Sequence, residues 1–434
     1  MNIELNYTNI MDEIIYEEGI SLLDFVNIKE KINTAYDKVM QKCKNDELGF
    51  MKIIYDDILI YYELKEYSKD FDNIVVIGMG GSILGTQAIY EGVKGIHYND
   101  LNDKKVYFLD NSDPEKTFEI LNIINLKKTL VFAISKSGNT AETLANFLII
   151  EEKLKGITKD YKKNIVVVAN TGELKNIADR EGYKFYRMPE NVGGRFSVFS
   201  AVGLAPLCCM DIDIEALIEG AKEMDKLCRN KDIFKNPALM NATIHYIAYN
   251  KGKTISVLMP YIERLHKFGL WYRQLWAESI GKNGIGQTPV ISLGAKDQHS
   301  QLQLYMDGLK NIIITFITVH KFKYDLKIRS SNYLNNRTLS TLIHSEQKGT
   351  EISLTNNKIP NISINIDELN EYTIGKLIYL YEMQTAFMGE LLEINAFNQP
   401  AVEGGKIITR KLLEECPVDE IKESKPTKKY CIEI

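Results

Sequence analysis

The stretch VVIGMGGSILG, Val75–Gly85, sets an apolar, β-branched run against a glycine cluster and then resumes at helical spacing. A strand that enters a helix through glycines brings backbone amides close to a neighbouring group, and helix-start amides favour an anion. Two occupants suit such a turn, a dinucleotide or a plain phosphate.

Outward from that turn, the same unit recurs. NIVVIG (73–78), KVYFLD (105–110), TLVFAIS (129–135) and KNIVVVAN (163–170) are short apolar runs, each followed by turn residues and a helical stretch such as TAETLANFLIIEEKL (140–154). Runs apolar on both faces predict strands covered on both sides, hence a parallel sheet with crossover helices. A second series follows in KTISVLMP (253–260), TPVISLG (288–294), NIIITFITV (311–319) and NISINI (361–366). Between them DIDIEALIEGAKEMDKL (211–227) is helical and charged rather than Gly/Ser-rich, so the two halves are expected to pack rigidly. Residues 1 to about 64 carry apolar residues at helical spacing without strand alternation. The expected fold class is therefore α/β, two doubly wound parallel-sheet domains packed together, with helical N-terminal and C-terminal segments. The expected division is 1–64 as an N-terminal helical segment packing on the second domain, 65–215 as the first α/β domain, and 216–434 as the second with its C-terminal helices.

Composition narrows the class. Hydrophobic residues at 45% and charged residues at 26% describe a globular chain, and a formal charge of -5 lacks the basic excess of a general nucleic-acid binder. Acids stand in MNIELNYTNIMDEI where a secretion signal needs a basic region, so a cytoplasmic protein is expected. FSVFSAVGLAPLCCM (196–210) is too short for a membrane span and is broken by Pro206, so it reads as a buried helix. The six cysteines, at 43, 208, 209, 228, 416 and 431, have no zinc-type spacing, and Cys208 and Cys209 read as core fillers. The terminal CIEI places Glu433 at an aliphatic position of a prenylation box, and the last dozen residues, ESKPTKKYCIEI, are polar enough to fray.

The third β-α unit favours phosphate over a dinucleotide. A dinucleotide fingerprint needs a third glycine where Ile83 stands, and the next strand ends late, at Asp110; the G-K-[ST] of a P-loop is missing. After LVFAIS come Ser135, Lys136, Ser137, Gly138, Asn139 and Thr140, then a helix with Glu142 in its first turn. Hydroxyls, a lysine and helix-start amides within six residues make an anion cradle. In a 2-1-3 strand order the first and third turns face one another, so Gly81 and Ser82 can close with Ser135, Lys136, Ser137 and Thr140 on one phosphate. The competing account is that these hydroxyls only cap helices.

GMGGS, SKSGNTAET, VGGRFS (192–197), QLWAESIGK (274–282), DQHS (297–300) and FNQPAVEGGK (397–406), in that order, resemble the glucose-6-phosphate isomerase (phosphoglucose isomerase) family in its bacterial-length form. The resemblance covers nearly the whole chain from about 65. It departs at Met79, at Asn398 where Asp is common, and at Ala401 where Gly is common. It implies two sugar-isomerase (SIS-type) domains and reversible interconversion of glucose 6-phosphate and fructose 6-phosphate through an enediol(ate), in glycolysis and gluconeogenesis.

That chemistry assigns roles. Glu278, four residues after Gln274 and so on the same helical face, suits a carbon-to-carbon proton shuttle; Trp276, Leu275 and Ile280 around it predict partial burial. Arg195 follows two glycines and can hold enediolate oxygens. His299, just after the strand TPVISLG, suits proton exchange with the ring oxygen. By resemblance this histidine enters from a partner subunit, which implies a homodimer with shared active sites, while Lys406 assists ring opening and Gln274 and Gln399 contact the substrate. No metal and no cofactor is implied, and neither nucleic acid nor membrane is an expected partner. The alternatives are a non-catalytic sugar-phosphate sensor, a nicotinamide-dependent dehydrogenase, and a dual phosphoglucose/phosphomannose isomerase.

Overall fold

In the computed structural model, which describes residues 3–414 and Ile432, ten strands frame the chain. They are β1 (Ile3–Asn6), β2 (Asn73–Ile77), β3 (Lys105–Leu109), β4 (Thr129–Ser135), β5 (Ile165–Ala169), β6 (Lys184–Arg187), β7 (Ile255–Pro260), β8 (Thr288–Ile291), β9 (Ile312–Lys321) and β10 (Asn361–Glu368). They form two five-stranded sheets, ordered β3-β2-β4-β5-β6 and β1-β10-β9-β7-β8. Every pairing is parallel except β1 with β10.

Burial explains why the expected strands formed. β2, β4 and β5 are buried along their whole length, as runs without polar alternation require. On one face of the first sheet Val75, Ile77, Val131, Ala133 and Val167 share a core with Phe147, Ile150 and Leu154 of the Ala141–Ile157 helix. In the second, Val257, Met259, Ile314 and Phe316 pack with Tyr305 and Leu354. Helix Ala201–Cys209 is entirely buried, and burial raises Cys208 to about 11 and Cys209 to about 12, so both thiols stay protonated fillers.

Two elements depart from the sequence reading. Residues 3–6 are a strand rather than part of an all-helical segment: Ile-Glu-Leu-Asn alternates and pairs antiparallel along β10, with Ile3 opposite Ile366. Four residues give too short an alternation to register as a pattern, yet they cover an edge that would otherwise expose a row of backbone groups. β6 escaped notice because, as the outer strand beside β5, its Lys184 and Arg187 are exposed and no apolar run marks it. The other N-terminal elements are helical, and Ile10, Ile20 and Phe25 share a core with Met240, Ile244, Ile313 and Ile362.

Residues 1–396 form one compact unit containing both sheets, and residues 397–434 form a second. Within the second, Glu403–Leu413 is a helix whose side chains are exposed. Cys416, Cys431 and most of the polar C-terminal tail lie outside the described residues. Among those described, no helix is long and apolar enough to cross a membrane.

The linking helix Ile214–Cys228 is fastened to the long Glu371–Leu391 helix by a buried carboxylate. Asp225, with no exposed surface, accepts from Arg229 Nε at 2.5 Å, from Tyr55 Oη at 2.6 Å and from Tyr379 Oη. A carboxylate buried this deeply is tolerable only with its lone pairs satisfied, and removing it strands two phenols. Asp225→Ala should lower the unfolding free energy by about 3–5 kcal/mol, and Asp225→Asn by less because an acceptor remains. Equilibrium urea unfolding measures both.

Candidate active site

The two glycine- and serine-bearing turns do lie side by side. β2 pairs with β4 in parallel, Ile77 opposite Ala133, so Gly78–Ser82 and Lys136–Thr140 leave adjacent strand ends. Each feeds a helix, Leu84–Lys94 and Ala141–Ile157, and no side chain caps either. Thr140 occupies the N-cap position of the second, yet its hydroxyl meets Ser135 Oγ at 2.9 Å. Asn139, the other natural cap, accepts from Glu173 N–H at 2.9 Å, and Ser137 accepts from Asn139 N–H at 3.3 Å. Capping therefore does not account for these residues. Two neighbouring helix starts present their dipoles, uncapped, with Ser82 and Thr140 half-buried beside them.

Lys136 is placed differently from the cradle expectation. Its ammonium donates to the carbonyls of Glu190 at 2.9 Å and Val192 at 2.7 Å, and burial lowers its pKa. The lysine ties the second turn to the strap that leads into Gly193, Gly194 and Arg195.

That strap meets the first turn without clearance. A Cβ on Gly81 would sit 2.2 Å from the Gly194 carbonyl carbon and 2.5 Å from Arg195 N, and one on Gly80 would sit 2.5 Å from Gln274 Nε2. The glycines at these positions thus admit protein groups; the approach joins the turn to Gln274 and Arg195.

Arg195 is the fixed point of this junction. Its side chain is 2% exposed, and its Nε donates to Ser279 Oγ at 2.6 Å, its Nη1 to Glu278 Oε2 at 3.3 Å and its Nη2 to the Ala396 carbonyl. Desolvation lowers its pKa and Glu278 opposes that shift, but a guanidinium keeps its proton throughout the working range. Glu278 lies on the His266–Ile280 helix, whose Trp271, Tyr272, Leu275, Trp276 and Ile280 are buried and fix its orientation. Its carboxylate is one-third exposed and accepts from Gln274 Nε2 at 3.1 Å on Oε1 as well as from Arg195 on Oε2. Helical i,i+4 spacing puts Gln274 and Glu278 on one face, as the sequence predicts. A carboxylate oriented by an amide and a buried cation, and still open to solvent, can take and return a proton.

The remaining candidates have other settings. His299 ends the short Lys296–His299 turn, exposed and without a hydrogen-bond partner among the described residues. Gln399 and Lys406 belong to the C-terminal unit, where Lys406, 64% exposed, pairs with Glu403 at 2.7 Å. Sequence reasoning passed over three contributors: Ser279, the Ala396 carbonyl and Lys282, whose ammonium donates to the Glu278 and Ser279 carbonyls. Ser279 and Lys282 stand inside the quoted QLWAESIGK, where i,i+4 spacing from Glu278 marks Lys282; a backbone carbonyl leaves no sequence signal. No group of three or more His, Cys, Asp or Glu among the described residues is arranged to hold a metal ion.

The model of the phosphoglucose isomerase family matches residues 40–428. A probable glucose-6-phosphate isomerase of Methanococcus maripaludis is 52% identical over 423 residues, covering 96% of this chain and 97% of that protein. The glucose-6-phosphate isomerase of Methanocaldococcus jannaschii is 49% identical, covering 92% of this chain and 96% of that protein. Among solved structures, a hypothetical protein from Thermus thermophilus superposes with a TM-score of 0.85 at 31% identity, covering 95% of this chain and 100% of that one. A glucose-6-phosphate isomerase from Chlamydia trachomatis shares the fold, with a TM-score of 0.71 at 23% identity, covering 89% of this chain and 78% of that one. With the family model spanning most of the sequence and relatives this similar over nearly their full lengths, the chain belongs to the phosphoglucose isomerase family.

Proposed function

We propose that this protein interconverts glucose 6-phosphate and fructose 6-phosphate through an enediolate, without a metal or cofactor, as an enzyme of glycolysis and gluconeogenesis in the cytoplasm. The observation that carries the reading is the Glu278 carboxylate, oriented by Gln274 and Arg195 where the glycine turn of the first sheet touches both residues. The names of the similar proteins support the same reaction.

In this reading the ester phosphate sits on the two uncapped helix starts, held by Gly81 N–H and by Ser82, Ser135, Ser137 and Thr140. Lys136 supports the cradle from behind through its carbonyl contacts. The sugar then extends toward Glu278, which takes the C2 proton of the open aldose and returns it to C1. Charge that develops on the two oxygens is met by the Arg195 guanidinium, whose hydrogen bonds keep it from reorganising; such a preorganised donor contributes roughly 3–4 kcal/mol. Gln274 has an amide oxygen buried without a partner among the described residues, suited to a sugar hydroxyl. His299, from a second subunit, exchanges protons with the ring oxygen, and Lys406 and Gln399 complete ring opening and sugar contacts. Residues 65–215 then act as the phosphate-holding domain, and 216–434 as the domain that supplies acid–base groups. Support for a homodimer is that His299 is exposed in the single chain, as are Ile407, Ile408 and Leu412 on the Glu403–Leu413 helix.

Glu278→Gln should abolish exchange of the substrate's carbon-bound proton with solvent and lower kcat by roughly 10²–10⁴-fold, while phosphate-ester binding changes only a few fold. Exchange followed by NMR in deuterated buffer decides it; a variant that exchanges normally is not using this carboxylate. For the shared site, Glu278→Gln and His299→Ala subunits mixed and reassembled should regain about a quarter of wild-type activity, because half the dimers would carry one intact site. A mixture as inactive as its parents would place both groups in one chain.

A further inference from the structure

Lys282 stands four residues after Glu278, just beyond the end of the His266–Ile280 helix. Its ammonium donates to the Glu278 carbonyl at 2.6 Å and to the Ser279 carbonyl at 2.8 Å. Carbonyls in a helix's last turn lack intrahelical donors, and a cation there meets the negative end of the dipole. The side chains of these same two residues both engage Arg195, Glu278 through its carboxylate and Ser279 through its hydroxyl. One cation thus grips the backbone of the two residues whose side chains orient the guanidinium.

We propose that Lys282 is a positioning residue for the Glu278 carboxylate, fixing the helix end that presents it and adding positive field to the place where it exchanges its proton. This rests on the reading of Glu278 as the base.

A plain helix cap would not need a cation in this place. Burial lowers the Lys282 ammonium to about 8, and the neighbouring Arg195 guanidinium adds to that while Glu278 opposes it. A folded value below the ordinary 10.5 means the charged form destabilises the fold below about pH 8, and the cost fades as pH rises from there to 10.5. Backbone carbonyls can be satisfied by water or an uncharged donor at no such cost, and here the same ammonium holds the carbonyls of both residues whose side chains engage Arg195. The charged groups facing it are Arg195 from the Gly194–Phe196 turn and Glu278 on its own helix; Gln274 is neutral.

The test compares the full-length wild type with Lys282→Gln, which keeps an amide donor but loses the charge, and Lys282→Arg, which keeps both. The pH profile of kcat/KM for fructose 6-phosphate is expected to lose its acid limb about one pH unit earlier in Lys282→Gln as pH falls, with kcat down roughly tenfold and KM little changed. Lys282→Arg should restore both. In urea titrations, the unfolding free energy of the wild type relative to Lys282→Gln should rise between about pH 8 and 10.5, the groups common to both proteins cancelling in the difference. A Lys282→Gln enzyme with the wild-type acid limb and kcat, or a Lys282→Arg enzyme as defective as Lys282→Gln, overturns the proposal. Glu278→Gln retaining proton exchange would instead overturn the base assignment on which it rests, so the two failures are told apart.

Discussion

The arrangement of the site depends on the contact between the Gly80–Gly81 turn and the residues behind it. A single methyl group at Gly81 would overlap the Gly194 carbonyl carbon and the Arg195 amide, and one at Gly80 would overlap Gln274. The overlap at Gly81 is with backbone, which an interior packed at this density cannot move aside locally, whereas at Gly80 it is with the end of the Gln274 side chain. The first sheet's switch point is therefore pressed against the arginine strap and against the helix of the second half that carries Glu278. The glycine turn and the Glu278 carboxylate come together because no side chain separates them.

Arg195 converts that proximity into fixed geometry. A guanidinium 2% exposed must have its donors satisfied, and a hydroxyl, a carboxylate and a carbonyl from two distant stretches of chain do so. The carbonyl comes from Ala396, where the chain returns to the end of the His266–Ile280 helix. Two aromatic groups extend the order outward: Phe196, which lies beside the guanidinium, packs at 5.1 Å on Phe50 from the N-terminal helices. The site is thus locked by tertiary contacts, while part of the Glu278 carboxylate stays open to solvent.

Much of this was legible in the sequence, for identifiable reasons. Strands buried on both faces betray themselves as unbroken apolar runs, which is why the eight runs quoted for the two sheets all became strands; β1 and β6 are edge strands, where burial asks for little and the pattern fades. The neighbouring turns followed from the 2-1-3 strand order, and the Gln274–Glu278 pair from helical spacing. What stayed hidden depended on direction rather than on residue type. SKSGNT reads as a cradle with its lysine inside, yet the Lys136 ammonium turns to the carbonyls of Glu190 and Val192. GMGGS reads as room for a ligand, yet the room at Gly80 and Gly81 is filled by Gln274, Gly194 and Arg195. Ser279 and Lys282 were in view but mute, because only the folded helix end shows that their groups converge on Arg195 and on the backbone that carries Glu278.

The junction of phosphate-holding turns and braced carboxylate is tested most directly by a crystal structure of the protein with fructose 6-phosphate bound. The ester phosphate should rest between Ser82 and Thr140 at the two helix starts, with C1 and C2 of the sugar within proton-transfer reach of the Glu278 carboxylate. A sugar phosphate lodged away from those hydroxyls, or with its carbonyl end turned from Glu278, would contradict it.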